Sequence, residues 1–508
     1  MSFNVFYAAL DNSYANGKVG QFTGSGGTGA VVFTTPSGPY IDVPNAPDGS
    51  TNDPRLNAFI SPATQPTQPS TQCVDLATRF SNLGTPSDPA TVAHSILPAN
   101  ISGISAVPNT GTVTPVPSPG TGINIVVNPY AAQLFNNYVY FMDYDTGRIF
   151  AASAVTPGTN ATPSTGASVT MTPIDPTTNA PTPVYTYVPA ATPAGLQAYG
   201  IDLKVVGGKL YALFSQYVLN SANPANLTYQ NSTIVRLVPV GGPAGGATLN
   251  AEATCDVGAL NAVGMAVASN SSTNYLLVAC IGGMQNAGSG NGTDSVIALV
   301  ELTNFTLVGK PVNGSYQLSG LALDIKAVAA TPPTTTGSPA GDSYVFIIAS
   351  SYTSSWTTNF MVGQTTLSAL ISAATGSALT MGSLAPIDQN SNVVGYFWTV
   401  AFAAEGSGAA GTLIVGRGNG DPSTFTISDQ LDFYAVADAS GVNVPSQAIK
   451  DSSALYGGNC ALNSITVVPP EGTAVTVSTL RSAMPAPVAT GTTSLADFHG
   501  ELRKKIGK

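Results

Sequence analysis

The feature that most limits how this 508-residue chain can fold is a recurring set of short apolar runs. A glycine opens such a run at GINIVV (Gly122), GIDLKVV (Gly200), GMAVA (Gly264), GLALDI (Gly320) and GYFWTVAF (Gly395). Second runs follow at NYVYFMDYD, KLYALFSQY, NYLLVACIG, SYVFIIASS and GTLIVGRG, and third runs at GRIFAASAV, STIVRLVPV, DSVIALVEL, TTNFMVGQT and LDFYAVADA. Each run is rich in β-branched and aromatic residues and is bounded by Gly, Asn, Ser or Pro, the mark of a strand. The offset from Gly200 to Tyr211 recurs from Gly264 to Tyr275. A repeated unit of three or four strands predicts a β-propeller, because radial repetition leaves only short protected edges.

Five units fall between residues 122 and 440. Strands at both ends, FNVFYAAL, GKVGQFTG and GAVVFTT with NCALNSITVVP and TAVTVSTL, supply one or two more, so six or seven blades are expected over residues 1–480. Pro/Ser/Thr-rich insertions are expected at about 36–121 and 156–196, the first with a short helix at CVDLATRFSNL. A β-sandwich or jelly roll is the alternative architecture. A linker and an amphipathic tail, residues 481–508, close the chain: Leu495, Phe498, Leu502 and Ile506 fall at helical spacing, suited to docking on a partner.

NNYVYFMDYDTGRIFAASAV and TNYLLVACIGG…DSVIALVELTN resemble the lactonase-like and NHL-like propeller repeat. The resemblance covers about three blades and implies blade geometry, not lactone hydrolysis.

Charged residues are 8% of the chain, against roughly 25% in an average soluble protein. Uncharged polar side chains must therefore carry solubility. Nucleic-acid binding is not expected, since 26 acidic residues outnumber 16 basic ones and phosphate neutralisation needs the reverse. No apolar run has the length of a membrane helix, and MSFNVFYAAL lacks the basic and apolar regions of a secretory leader.

Two charged pairs interrupt apolar runs, Asp202 with Lys204 and Asp324 with Lys326. Alternate positions on a strand share a face, so each pair would point together toward a central channel and is a candidate ligand contact or a structural ion pair. Aligning the two Asp residues sets Gly200 opposite Ala322, so the glycine and charge registers disagree by two residues. Asp143 and Asp145 in DYDTGR are a fragment of a calcium loop, and a hairpin turn accounts for them equally. Cys255 with Cys280, and Cys73 with Cys460, are candidate disulfides; four free thiols are the alternative, and the spacing does not suit zinc. Sequons at Asn100, Asn160, Asn226, Asn231, Asn270, Asn291, Asn304 and Asn313 are candidate glycosylation sites, about as many as chance supplies in so Ser/Thr-rich a chain.

Catalytic signatures are sparse. His94 and His499 are the two histidines, no G-x-S-x-G elbow occurs, and GGPAGG and GSGNG lack the lysine of a phosphate loop. Trp356 and Trp398 suit either sugar stacking or packing between blades. The sequence therefore points first to a secreted or surface-displayed propeller that binds a protein or glycan without catalysis. The alternatives are a lactonase-like or carbohydrate-active hydrolase using Asp202, Asp324 or Asp143, and a virion or particle component.

Overall fold

A computed structural model describes 32 strands and one α-helix within residues 2–468, with side chains mainly between 131 and 442. The longer stretches outside the described residues are 44–54, 62–72, 80–90, 97–128, 154–170, 173–181, 284–293, 419–428, 452–459 and 469–508. The protein is an all-β, seven-bladed propeller.

The N-terminal strands are β1 (Ser2–Asp11), β2 (Gly17–Ser25), β3 (Val32–Thr34) and β4 (Ile41–Val43). Blade one is β5 (Arg55–Ser61), β6 (Cys73–Arg79) and β7 (Thr91–Ile96). Blade two is β8 (Pro129–Phe135), β9 (Tyr138–Asp143) and β10 (Arg148–Ser153), edged by β11 (Met171–Thr172) and β12 (Tyr185–Thr186). Blade three runs β13 (Leu196–Val206), β14 (Lys209–Asn220), β15 (Asn223–Pro239) and β16 (Leu249–Leu260). Blade four runs β17 (Ala262–Asn270), β18 (Thr273–Cys280), β19 (Val296–Glu301) and β20 (Thr306–Asn313). A small hairpin, β21 (Gln317–Leu318) and β22 (Leu321–Ala322), leads into blade five: β23 (Asp324–Ala330), β24 (Tyr344–Tyr352), β25 (Thr358–Thr366) and β27 (Ala385–Val393). Between β25 and β27, helix α1 (Leu367–Thr375) packs on β20 and β26 (Leu379–Thr380) pairs parallel to it, covering the outer edge of blade four. Blade six is β28 (Val400–Ala404), β29 (Gly411–Gly418), β30 (Asp429–Ala437) and β31 (Gly441–Asp451). The last strand, β32 (Cys460–Val468), pairs antiparallel with β1 and completes blade seven with strands from the other end of the chain.

The inner strands close a ring. In turn β5, β8, β13, β17, β23, β28 and β32 each pack on the next, and β32 returns to β5. This closure, rather than two stacked sheets, excludes the sandwich alternative and fixes the blade number at seven. The apolar cores lie between blade faces. One cluster joins Leu277, Ile325, Phe346 and Phe402 across blades four to six; a second joins Leu213, Ile234, Met265 and Val278 across blades three and four; a third fills blades two and three around Tyr140 and Phe214.

Some sequence expectations need correction. The segment CVDLATRFSNL contributes strand β6, not a helix, and the supposed insertion 36–121 carries four strands, β4 to β7, whose pattern is hidden by the long Pro/Ser/Thr-rich stretches between them. GINIVV lies outside the described residues, and the inner strand of blade two is β8. GLALDI is split, its first half in the β21–β22 hairpin and its second opening β23. Trp356, Trp398, His499, TAVTVSTL and the 481–508 tail also lie outside the described residues; His94 lies on β7, its side chain outside them.

Candidate functional site

Three inner strands, β13, β17 and β23, carry a bulge in their pairing with the second strand, with Ile201, Val263 and Lys326 as the extra residues. In β17, β23 and β32 the residue just before a bulge offers its N–H to a side chain on or beside the third strand of the preceding blade. Thus Ala262 donates to Ser232 Oγ (3.0 Å), Ile325 to Ser295 Oγ (2.6 Å) and Leu462, before the bulged Asn463, to Asp429 Oδ2 (2.7 Å). This tie recurs at three blade junctions, and the glycine pattern did not reveal it because its partners are two Ser and one Asp far away in sequence.

Measured from the bulge, the two Asp-x-Lys stretches are not copies. Asp202 follows the bulged residue by one and Asp324 precedes it by two, a displacement of three residues or roughly 10 Å along a strand. Their environments differ accordingly. Asp202 and Lys204 are both 4% exposed. Lys204 Nζ donates to Oδ1 and Oδ2 at 2.8 and 2.9 Å, Leu203 N to Oδ1 at 2.8 Å, and Met265 N of the next blade to Oδ2 at 3.0 Å. Four donations to one carboxylate make this pair a joint between blades three and four.

Asp324 sits differently. Its side chain keeps 22% of its exposure and its contact with Lys326 Nζ is longer, 3.4 Å. Burial raises its carboxyl above the ordinary range; the Lys326 ammonium pulls it back, and the charge of Asp294 raises it again. Asp294 was not singled out from the sequence. It precedes Ser295, whose hydroxyl holds Ile325, and so stands beside the start of β23. Its Oδ2 accepts from Gly283 N (2.8 Å), while Oδ1 is buried without a hydrogen-bond partner. Gly282, at φ +91°, makes room: a Cβ there would lie 2.7 Å from Asp294 Cγ. The Nδ2 of buried Asn261, at the crossover from blade three to blade four, likewise has no hydrogen-bond partner. Asn261 O accepts from Ile281 N and Leu260 O from Gly282 N, so Asn261 and Asp294 flank the same short stretch after β18. Asp324, Lys326 and Asp294 thus lie by the start of β23 and Asn261 just before β17, at the end of the ring where these inner strands begin, here called its mouth.

The remaining candidates lie elsewhere. Asp143 is fully buried at the end of β9; Thr146 Oγ1 donates to its Oδ2 (2.6 Å) and Gly147 N to its carbonyl (3.1 Å), the pattern of a turn, while Asp145 lies outside the described residues. Among the described residues no group of three His, Cys, Asp or Glu could hold a metal ion. Cys255 and Cys280 are free and buried, contrary to the expected disulfide. They sit on strands of neighbouring blades, β16 and β18, packed among apolar side chains, and burial raises both thiols, Cys255 to about 11. Cys73 and Cys460 open β6 and β32, their side chains outside the described residues. Of the sequons, Asn231 donates to Asp256, Asn270 to Ser368 and Asn304 to Glu301, and Asn313 accepts from Ser315. Asn226 lies on β15 with its side chain outside the described residues, as do Asn100, Asn160 and Asn291 entirely. No helix among the described residues is long and apolar enough to cross a membrane.

The ring of inner strands defines the chain as a β-propeller. No family model matches it, and no curated protein matches it in sequence. Among solved structures it is similar to the periplasmic gluconolactonase of Pseudomonas aeruginosa, at 12% identity and TM-score 0.33, covering 89% of this chain and 99% of that one. It is also similar to AztD from Citrobacter koseri (9%, TM-score 0.29, 92% and 98% covered) and to a GH43 endo-arabinanase from Bacillus licheniformis (13%, TM-score 0.28, 66% and 96% covered). Likeness at these TM-scores carries no argument about activity, and the blade count rests on the ring itself.

Proposed function

We propose that this protein is a binding propeller whose ligand seats at the channel mouth against Asp324, Asp294 and Asn261, and that the ligand is a neutral, hydroxyl-rich molecule such as a glycan. The observation that carries the reading is the contrast between two similar charge pairs. Asp202 and Lys204 are consumed by the fold, whereas the Asp324 neighbourhood keeps exposure, a carboxylate oxygen without a donor and a buried amide without an acceptor. A hydroxyl group both donates and accepts, and so completes both at once. Display outside the cell belongs to the same proposal. The test is binding on a glycan array followed by calorimetry. Asp294→Ala and Asn261→Ala should each weaken a captured glycan about tenfold or more while Lys204→Met leaves binding intact; a glycan held equally by all of them would overturn the site.

A second reading is hydrolysis, favoured by one observation: a carboxyl raised by burial beside a second carboxylate is the arrangement of an acid and base pair. Asp324 would be the proton donor and Asp294 the base. Turnover of a lactone and glycoside panel, lost in Asp324→Asn, would establish this reading; wild-type protein inert on that panel but binding glycans would leave the first.

A further inference from the structure

A second charged cluster lies away from the mouth, between blades five and six. Gln430, Asp432 and Tyr434 alternate along β30 and so share one face. Arg417 on β29 places Nη1 3.1 Å from Asp388 Oδ2, on the outer strand β27 of blade five, and Nε 3.0 Å from Asp432 Oδ2. Tyr434 OH lies 3.2 Å from Asp388 Oδ2 and 3.5 Å from Asp432 Oδ2, and Gln430 Nε2 donates to Asp432 Oδ1 at 2.8 Å. The guanidinium also stands 6.0 Å from the Phe360 ring centre on β25. Asp432 is fully buried, so one cation and one hydroxyl are divided between two carboxylates that face each other across a blade boundary.

We propose that Asp388, Arg417, Asp432 and Tyr434 form a proton-responsive joint between blades five and six: a proton taken from solvent forms an O–H bond on Asp432 and leaves Arg417 matched to Asp388 alone. Charge balance drives the step. Before it, two negative charges meet one positive charge; after it, the joint is neutral. Burial, the largest influence, raises Asp432 to about 6, with Arg417, Gln430 and Tyr434 pulling down and Asp388 pushing up. The other charged residues on the packed elements are Asp429 at the head of β30, and Lys450 and Asp451 beside Ile449, the register partner of Asp432 on β31; β25 has none. Because the folded-state value lies above the ordinary Asp value, the folded chain binds this proton before the unfolded chain does, and stability rises as pH falls through about 6.

The test is the unfolding equilibrium of the full chain in urea at pH 7.5 and pH 5.0, both above the sequence pI of about 4.5. Asp432→Asn mimics the protonated joint. Relative to this variant, wild-type protein should gain about tenfold in its ratio of folded to unfolded molecules between the two pH values. An unchanged ratio overturns the joint. Asp388→Asn gives an independent reading, since loss of the facing charge should move the wild-type midpoint to lower pH. If Asp432→Asn does not fold, an unmoved midpoint in Asp388→Asn overturns the proposal by itself.

Discussion

Replacing Lys204 by Met tests the assignment of the Asp202 pair to the scaffold. The change removes the ammonium that lies 2.8 and 2.9 Å from the carboxylate oxygens but leaves the carboxylate buried, with only the Leu203 and Met265 N–H groups to hold it. Breaking one side of a buried ion pair costs about 3–5 kcal/mol, mostly from the charge left behind. If the strands between residues 129 and 468 melt as one unit of about 340 residues, an unfolding entropy of about 2.1 cal/mol/K per residue sets roughly 0.7 kcal/mol per degree. The melting temperature should therefore drop by about 4–7 °C. Asp202→Asn with Lys204→Met removes both charges and should recover at least about half of that loss. The assay is thermal unfolding followed by circular dichroism, with Lys209→Met as control: its exposed contact with Glu252 should leave melting unmoved. A loss below about 1 °C in Lys204→Met, or a double variant no more stable than the single one, would refute the claim that this carboxylate is a buried charge needing its partner.

The close approach at Gly200 predicts a second loss. A Cβ there would meet the Met142 side chain and lie 2.6 Å from the Asp143 carbonyl of the neighbouring blade, so Gly200→Ala should cost about 1–3 kcal/mol in a urea titration. Burial raises both thiols, so Cys255 and Cys280 should resist alkylation at pH 8 in the folded protein and react once it is unfolded, which mass spectrometry of the modified peptides reads directly. Burial alone would raise Asp438, but donations from Thr335, Thr336 and Ala409 outweigh it and hold the carboxyl well below the ordinary range. Its contribution is full above the ordinary carboxylate pKa and is lost progressively as pH falls toward the lowered folded-state value, so Asp438→Ala should be less stable than wild type at pH 7 and the gap should narrow steadily as pH falls below about 4.

The blades were legible because their second and third strands are continuous apolar runs: KLYALFSQY became β14 and SYVFIIASS became β24 with little shift in boundary. The joining of the two chain ends was legible for the same reason, FNVFYAAL being too apolar to stand alone. Blade one was not, since its strands are set apart by long Pro/Ser/Thr-rich stretches that read as an insertion. The candidate site was half legible. Asp324 and Lys326 announced themselves as charges in an apolar run, but Asp294 reads as an ordinary loop residue, and only the Ser295 to Ile325 hydrogen bond brings it to the mouth. The Asp388 to Asp432 joint was hidden for another reason. Its members belong to two blades, and no spacing along the chain encodes which faces of neighbouring sheets will meet. Cys255 and Cys280 misled because the blade boundary at Leu260 and Ala262 falls between them.

The pairing of β1 with β32 also has a consequence for how the chain is made. Strand β1 leaves the ribosome about 450 residues ahead of its partner, which at roughly 5–20 residues per second is a wait of about 20–90 s. Until β32 is made, this edge of β1, a strand that carries Phe3, Val5, Phe6 and Tyr7, has no strand to cover it. Ring closure therefore waits for β32, and a truncated product released before Cys460 is a propeller with an open seam.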